Sequence, residues 1–269
     1  MPYPICVTCG NQYPDTPQPP DHCPVCTDER QYINPDGQQW TTLEALRPHH
    51  SNIIEALEPG LWRIKSEPRV GIGQYAFLVQ TAQGNILWDC ITLLDDATIQ
   101  AIQNLGGIKA IAVSHPHYHS TMVEWSHAFG HVPVYIHSGN RDWILRPDPA
   151  IQLWEGSTLP LAEGVNIVHC GGHFEGATVL HWQQGADGRG VVLCADTIDV
   201  VSDSRYMSFM YSYPNLIPLP ASKVRAIVSA LQPYAFERMY DAFGGISKRD
   251  AYARLQRSAD RYIRAISEP

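Results

Sequence analysis

The chain predicts an α/β fold, one large domain with a small appendage in front, on three observations. Short strand-like runs alternate with amphipathic helical stretches in both halves, which argues for sheets covered on their outer faces by helices. The 269 residues exceed an average domain of about 150, yet a single β-rich domain can absorb most of that excess. Apolar residues make up 44% and charged residues 17%, a balance that builds cores and excludes wholesale disorder.

The appendage comes first. Cys6/Cys9 and Cys23/Cys26 form two C-x2-C pairs within the first 26 residues, separated by a gap rich in proline (Pro14, Pro17, Pro19, Pro20). Two knuckles of this kind supply the four-sulfur tetrahedral shell that zinc prefers. The gap cannot build a core of its own, so a bound ion would contribute the missing stability, as a structural site does. Two disulfides would need an oxidising compartment, which nothing in the sequence suggests. The segments CVTCG and CPVCTDERQY resemble a zinc ribbon, and the same knuckles occur in rubredoxin-like modules that hold iron. Zinc is preferred because nothing else in the chain reads as an electron partner. The expected organisation is a metal-binding module over 1–35, a linker over 36–53 and the large domain over 54–269.

In the large domain, LWRIKS (61–66), YAFLVQT (75–81) and NILWDC (85–90) read as strands, the last two joined through Gln83-Gly84. Asp95 and Asp96 open a helix that carries Ile99, Ile102 and Leu105 on one side and stops at Gly106-Gly107. IKAIAVS (108–114) is a buried strand by its run of branched residues. A helix over about 121–129 follows, then strands at 132–137, 165–170, 177–183 and 190–195. A helix over 221–231, a strand over 236–240 and a helix over about 248–266 close the chain.

The chemistry gathers after the buried strand. His115, His117 and His119 alternate in SHPHYHST, and in an extended segment that spacing turns side chains to one side, where they can face one ion. Pro116 is expected to keep a helix from starting there. Further on, CGGHFEGA places His173 after two glycines, and LCADTI places Asp196 at the end of another buried strand.

The order of these strings resembles the metallo-β-lactamase superfamily, with its H-x-H-x-D-H loop, later G-H-x-x-G segment and still later aspartate. The resemblance covers about residues 54–266 and implies a four-layer αβ/βα sandwich. It also implies that His115, His117 and His173 match the three imidazoles of the first metal position and Asp196 the carboxylate beside them. The second position departs from the pattern: His119 stands where the family has aspartate, Ser120 where it has histidine, and MYDAFGG lacks the late histidine. Asp241 lies near that lost place, as an oxygen ligand or as an ordinary loop aspartate. One zinc or ferrous ion is therefore expected rather than two. His119 is open to two roles, as general base or as a supporting or replacement ligand.

A site of this kind activates water and polarises a carbonyl, which is hydrolase chemistry, with Asp196 and His119 as the catalytic candidates. The expected substrate is a small ester, thioester, lactone or amide. Similar proteins that keep only the three histidines and the aspartate include mononuclear iron dioxygenases acting on persulfides, which is the rival reading. A third is a protein that has lost catalysis and uses its front module to dock a partner. The aromatic segment 204–220, with Tyr206, Phe209, Tyr211 and Tyr213, either walls the pocket or makes a dimer or domain contact.

Other classes are excluded. A net charge of −8 without a basic patch argues against nucleic acid. Apolar runs are too short for a membrane span and the N-terminal residues lack a charged then apolar leader pattern, so a cytoplasmic protein is expected. No phosphate-cradling loop, dinucleotide fingerprint or G-x-S-x-G string occurs. Cys90, Cys170 and Cys194 read as small buried residues.

Overall fold

The computed structural model describes residues 2–267; Met1, Glu268 and Pro269, the outer ends of the two expected segments, lie outside the described residues. Two compact units emerge, one reaching to Ile136 and taking in Arg141–Leu153, the other comprising His137–Asn140 and the chain from Trp154 onward.

The first unit is built on a seven-stranded sheet whose strands run in chain order: Ser51–Glu58, Leu61–Glu67, Ala76–Val79, Ile86–Trp88, Ala110–Ala112, Val134–His137 and Ile151–Trp154. Its early strands pair antiparallel, and Ile86–Trp88, Ala110–Ala112 and Val134–His137 then run parallel. Parallel neighbours need a crossover, and helices Asp96–Asn104 and Met122–Ala128 provide the two. The first of these helices ends and begins as its sequence dictates. The Asp95 carboxylate accepts the Thr98 amide at 2.7 Å, and Gly107, at φ +72°, returns its amide to the Ile102 carbonyl.

The second unit holds a six-stranded sheet in the order Thr158–Ala162, Val165–His169, Thr178–Trp182, Val191–Leu193, Arg238–Tyr240 and Ile246–Ser247. Val191–Leu193 and Arg238–Tyr240 are parallel, with helix Ala221–Leu231 in the connection between them. Ala251, Leu255 and Ala259 recur every four residues along helix Ala251–Ser267, so one stripe is buried with Val224, Ile227 and Leu231 of the other helix. The two buried strands that matter for chemistry, Ala110–Ala112 and Val191–Leu193, each run parallel to a neighbour, and a ligand-bearing loop leaves the carboxyl end of each.

The expected helices and strands are present within a few residues of their expected ends. Strands Ser51–Glu58, Ile151–Trp154 and Thr158–Ala162 were not legible. The first begins inside the segment read as linker and is partly exposed on both faces, so it lacks the alternation that marks a half-buried strand. The third lies at the sheet edge and contains Pro160, which an edge tolerates. Among the described residues no helix is long and apolar enough to cross a membrane.

Candidate metal centre

The loop after Ala110–Ala112 corrects one expectation. Pro116 does not keep a helix from starting; it opens a 3₁₀ turn, Pro116–Tyr118, with His115 extended before it and the Tyr118 amide on the His115 carbonyl. The first helical position needs no amide hydrogen and suits a fixed φ, so proline begins a turn there at no cost. His115 and His117 stay together, their rings edge to face at 5.0 Å. The Ser114 hydroxyl lies 2.9 Å from His115 Nδ1, and the Asp89 carboxylate fixes the Ser114 amide at 2.7 Å.

The turn sends His119 elsewhere. Its Nδ1–H donates to the Trp143 carbonyl at 3.2 Å, and its neighbours around a small cavity are Asn11, Gln12, Met122 and Leu145. Burial pushes its pKa down to about 3, so it is neutral near pH 7 and a weak base. Ser120 closes the loop in the left-handed region at φ +45°, a conformation that costs a side-chain-bearing residue about 1–2 kcal/mol. Its amide donates to Asn11 Oδ1 at 2.7 Å, its carbonyl accepts the Gln12 amide, and its hydroxyl donates to the Cys90 carbonyl while accepting from Gln74 Nε2.

In the second unit, Gly171 and Gly172 carry the chain into His173 with positive φ, and at Gly172 a side chain would press on Ile227 and Leu219. His173 Nδ1–H donates to the Met210 carbonyl at 3.0 Å, which leaves the Nε2 lone pair directed 3.9 Å from the Asp196 carboxylate. The aromatic segment supplies more than that carbonyl. The Tyr213 hydroxyl donates to the Asp196 backbone carbonyl at 3.0 Å, and its ring centroid lies 5.7 Å from that of His173. Phe209 is a core residue, and Tyr206 lies beneath Arg261 and Arg257 instead of near the histidine.

Within the first unit the donor atoms of His115 and His117 lie within 4.8 Å of one another, and within the second those of His173 and Asp196 do the same; all four residues are buried. A tetrahedral ion with ligands at about 2.0–2.2 Å wants its donors about 3.4 Å apart, within reach of small side-chain adjustments. Three neutral nitrogens and one carboxylate are a donor set that suits zinc or ferrous iron, so the residues fit the ion. His119 and Asp241 are not in this group. The Asp241 carboxylate instead accepts the backbone amides of Val200, Phe243 and Gly245 at 3.1, 2.9 and 2.7 Å, the work of a loop-shaping aspartate.

Cys6, Cys9, Cys23 and Cys26 form the second group, also within 4.8 Å and fully buried. Cys6–Cys26 and Cys9–Cys23 stand 3.6 Å apart, too far for a disulfide near 2.05 Å and close to the roughly 3.8 Å edge of a tetrahedral zinc–sulfur shell. Gln38 Nε2 and Asn11 Nδ2 point at Cys6 and Cys9 sulfur, as donors do toward thiolates. The remaining cysteines are inert by comparison: burial raises all three thiols, Cys170 to about 12. Sequence reasoning missed Asn11, Asp89, Ser114 and the Met210 carbonyl. Asn11, Asp89 and the Met210 carbonyl act through hydrogen bonds to residues distant in the chain, for which no local pattern exists, and Ser114 adjoins His115 without belonging to any motif.

No family model matches the chain. It is 51% identical to the uncharacterized protein YmaE of Bacillus subtilis (strain 168) over 269 residues, covering 99% of this chain and 98% of YmaE. Among solved structures it is similar to DIM-1 metallo-β-lactamase, with a TM-score of 0.61 and 14% identity over 80% of this chain and 98% of that one. The metallo-β-lactamase FIM-1 from Pseudomonas aeruginosa, solved in a mono-zinc form, gives 0.57 and 16% over 78% and 95%. The fold is therefore that of the metallo-β-lactamases, as the three motifs implied.

Proposed function

Since this chain belongs to the YmaE family and is built on the metallo-β-lactamase fold, we propose that it is a metal-dependent hydrolase acting on a small ester, thioester, lactone or amide. The observation that carries the reading is the pairing of four buried ligand candidates, His115 with His117 in one unit and His173 with Asp196 in the other, the donor atoms of each pair within 4.8 Å. When bound there, a zinc ion would supply Lewis acidity, polarising a carbonyl and making water acidic enough to attack near neutral pH. A second zinc in the four-cysteine cluster would be structural, because four thiolates leave no open position.

The chain's own residues prepare the rest. The Met210 carbonyl fixes the His173 tautomer so that Nε2 presents a lone pair, the kind of outer support on which ligand affinity depends. Asp196 is the one anion of the set, which leaves the loaded site with net positive charge toward an electron-rich substrate. Its carboxylate is also the better acceptor for the attacking water's proton, because His119 is turned to Trp143 and depressed to about 3. Tyr213 and Phe174, with ring centroids 5.7 and 5.2 Å from His173, favour a substrate with an apolar acyl or leaving group.

The test is a panel of chromogenic esters, thioesters, lactones and amides against full-length protein of measured zinc and iron content. Turnover of one class that a chelator abolishes and zinc restores is expected. Replacing His173 by alanine should remove both the activity and one ion per chain. A mainly iron-loaded site that consumes oxygen with a persulfide would overturn the hydrolase in favour of the oxidoreductase. Ion content unchanged in His173→Ala would overturn the site itself.

A further inference from the structure

The segment that follows the first cysteine knuckle holds the loop that carries two of the histidines. Asn11 is 1% exposed, and its amide group is used at both ends. Nδ2 donates to Cys9 Sγ at 3.6 Å and to the Pro116 carbonyl at 3.2 Å, while Oδ1 accepts the Ser120 amide at 2.7 Å. The Pro116 carbonyl belongs to the peptide that leads into His117, and Ser120 is the left-handed residue that ends the loop. Thus one side chain spans the turn from its first residue to its exit.

The grip is reinforced on either side. The Gln12 amide donates to the Ser120 carbonyl at 3.1 Å, and the Thr92 hydroxyl donates to the Gly10 carbonyl at 3.1 Å. Gly10, at φ +81°, packs so closely on Thr92 that no side chain fits there. The knuckle holds Asn11 in turn, because the Cys6 amide donates to the Asn11 carbonyl at 2.9 Å.

The Pro116 carbonyl only accepts and the Ser120 N–H only donates, so together they fix the Asn11 amide with Nδ2 toward Cys9 Sγ and Oδ1 toward Ser120. An ion held by the four sulfurs would fix the position of Cys9 Sγ and, through the same amide, that of the loop.

We propose that Asn11 is a positioning residue through which ion occupancy of the four-cysteine site sets the geometry of the His115/His117 loop and strengthens ion binding at the histidines. This rests on the reading that both groups bind metal, but not on any hydrolytic activity. By linkage, the two occupancies favour each other to the same degree.

Cobalt separates the sites, because thiolate ligands give intense near-ultraviolet charge-transfer bands and the histidine set gives only weaker visible ones. The cobalt-loaded full-length chain is titrated with a chelator of known affinity, for wild type, Asn11→Ala and Asn11→Asp. In Asn11→Ala the thiolate bands should persist while the histidine-site ion is released at a dissociation constant about tenfold higher, the usual effect of losing an outer support. Its visible bands should shift as the loop relaxes. Asn11→Asp keeps an acceptor for Ser120 but loses the donor to Cys9 and Pro116, so it should weaken the ion as well, and it decides the matter if the alanine variant does not fold. Histidine-site affinity within twofold of wild type, with the thiolate bands intact, would overturn the proposal. A wild-type chain that takes one cobalt, at the cysteines alone, would overturn the metal reading at the histidines together with the proposal, whereas two cobalt ions per chain with unchanged affinity in Asn11→Ala would overturn the proposal alone.

Discussion

Glycine at position 120 should destabilise the protein less than alanine does, reversing the usual order at a buried site. Either change removes the hydroxyl that donates to the Cys90 carbonyl and accepts from Gln74 Nε2. At about 1 kcal/mol per net hydrogen bond, each variant loses about 2 kcal/mol, and Gln74 keeps its second contact with the Cys90 carbonyl. Alanine retains the left-handed backbone at φ +45° and its cost of about 1–2 kcal/mol. Glycine removes that cost but loses about 0.5–1 kcal/mol of unfolded-chain entropy. The net preference for glycine is about 0.5–1 kcal/mol. Urea denaturation at fixed free zinc reads it directly: with an m-value of about 3 kcal/mol/M, the midpoints separate by about 0.2–0.3 M. Alanine equal to or more stable than glycine would mean that Ser120 is not held against a backbone strain, and that the hydrogen bonds around it are not compensating for one.

Two further outcomes follow from the buried ionisable groups. Asp241→Ala should strand the amides of Val200, Phe243 and Gly245 and cost about 3–5 kcal/mol, visible as a lower melting temperature, with ion content per chain unchanged; loss of an ion from folded protein would instead make Asp241 a ligand. His119 has a folded pKa of about 3 against about 6.5 unfolded, so between those values the unfolded chain binds the extra proton. The stability due to a neutral His119 is therefore full above about pH 6.5 and lost as pH falls toward 3, with about 2 kcal/mol gone by pH 5. Denaturation of wild type and His119→Gln at pH 7.5 and pH 5 measures it, and a stability gap that does not narrow at the lower pH would refute the burial argument.

Much of the fold was written in local pattern. The Asp95 cap and Gly106-Gly107 stop, the branched run at 108–114 and the four-residue stripe of the last helix each reflect one element's own periodicity and end chemistry, which need no distant partner. The four cysteines were legible for the same reason, since two C-x2-C knuckles are local structures. So were the candidate ligands: His115 and His117 sit in one turn, while His173 and Asp196 announce themselves by the glycines and the buried strand before them.

What the sequence by itself determined, then, was which residues could bind metal. Which of them are placed as ligand pairs was decided by tertiary structure. An alternation of three histidines predicts three imidazoles on one side only if the chain stays extended, and the 3₁₀ turn begun by Pro116 rotates His119 away to Trp143. Asp241 stood at a suggestive place in the chain, but three backbone amides claim its oxygens. Asn11 had no motif at all, because its role is to hold Pro116 and Ser120, more than a hundred residues away, and a hydrogen bond between groups so far apart in the chain exists only once folding has set the distance.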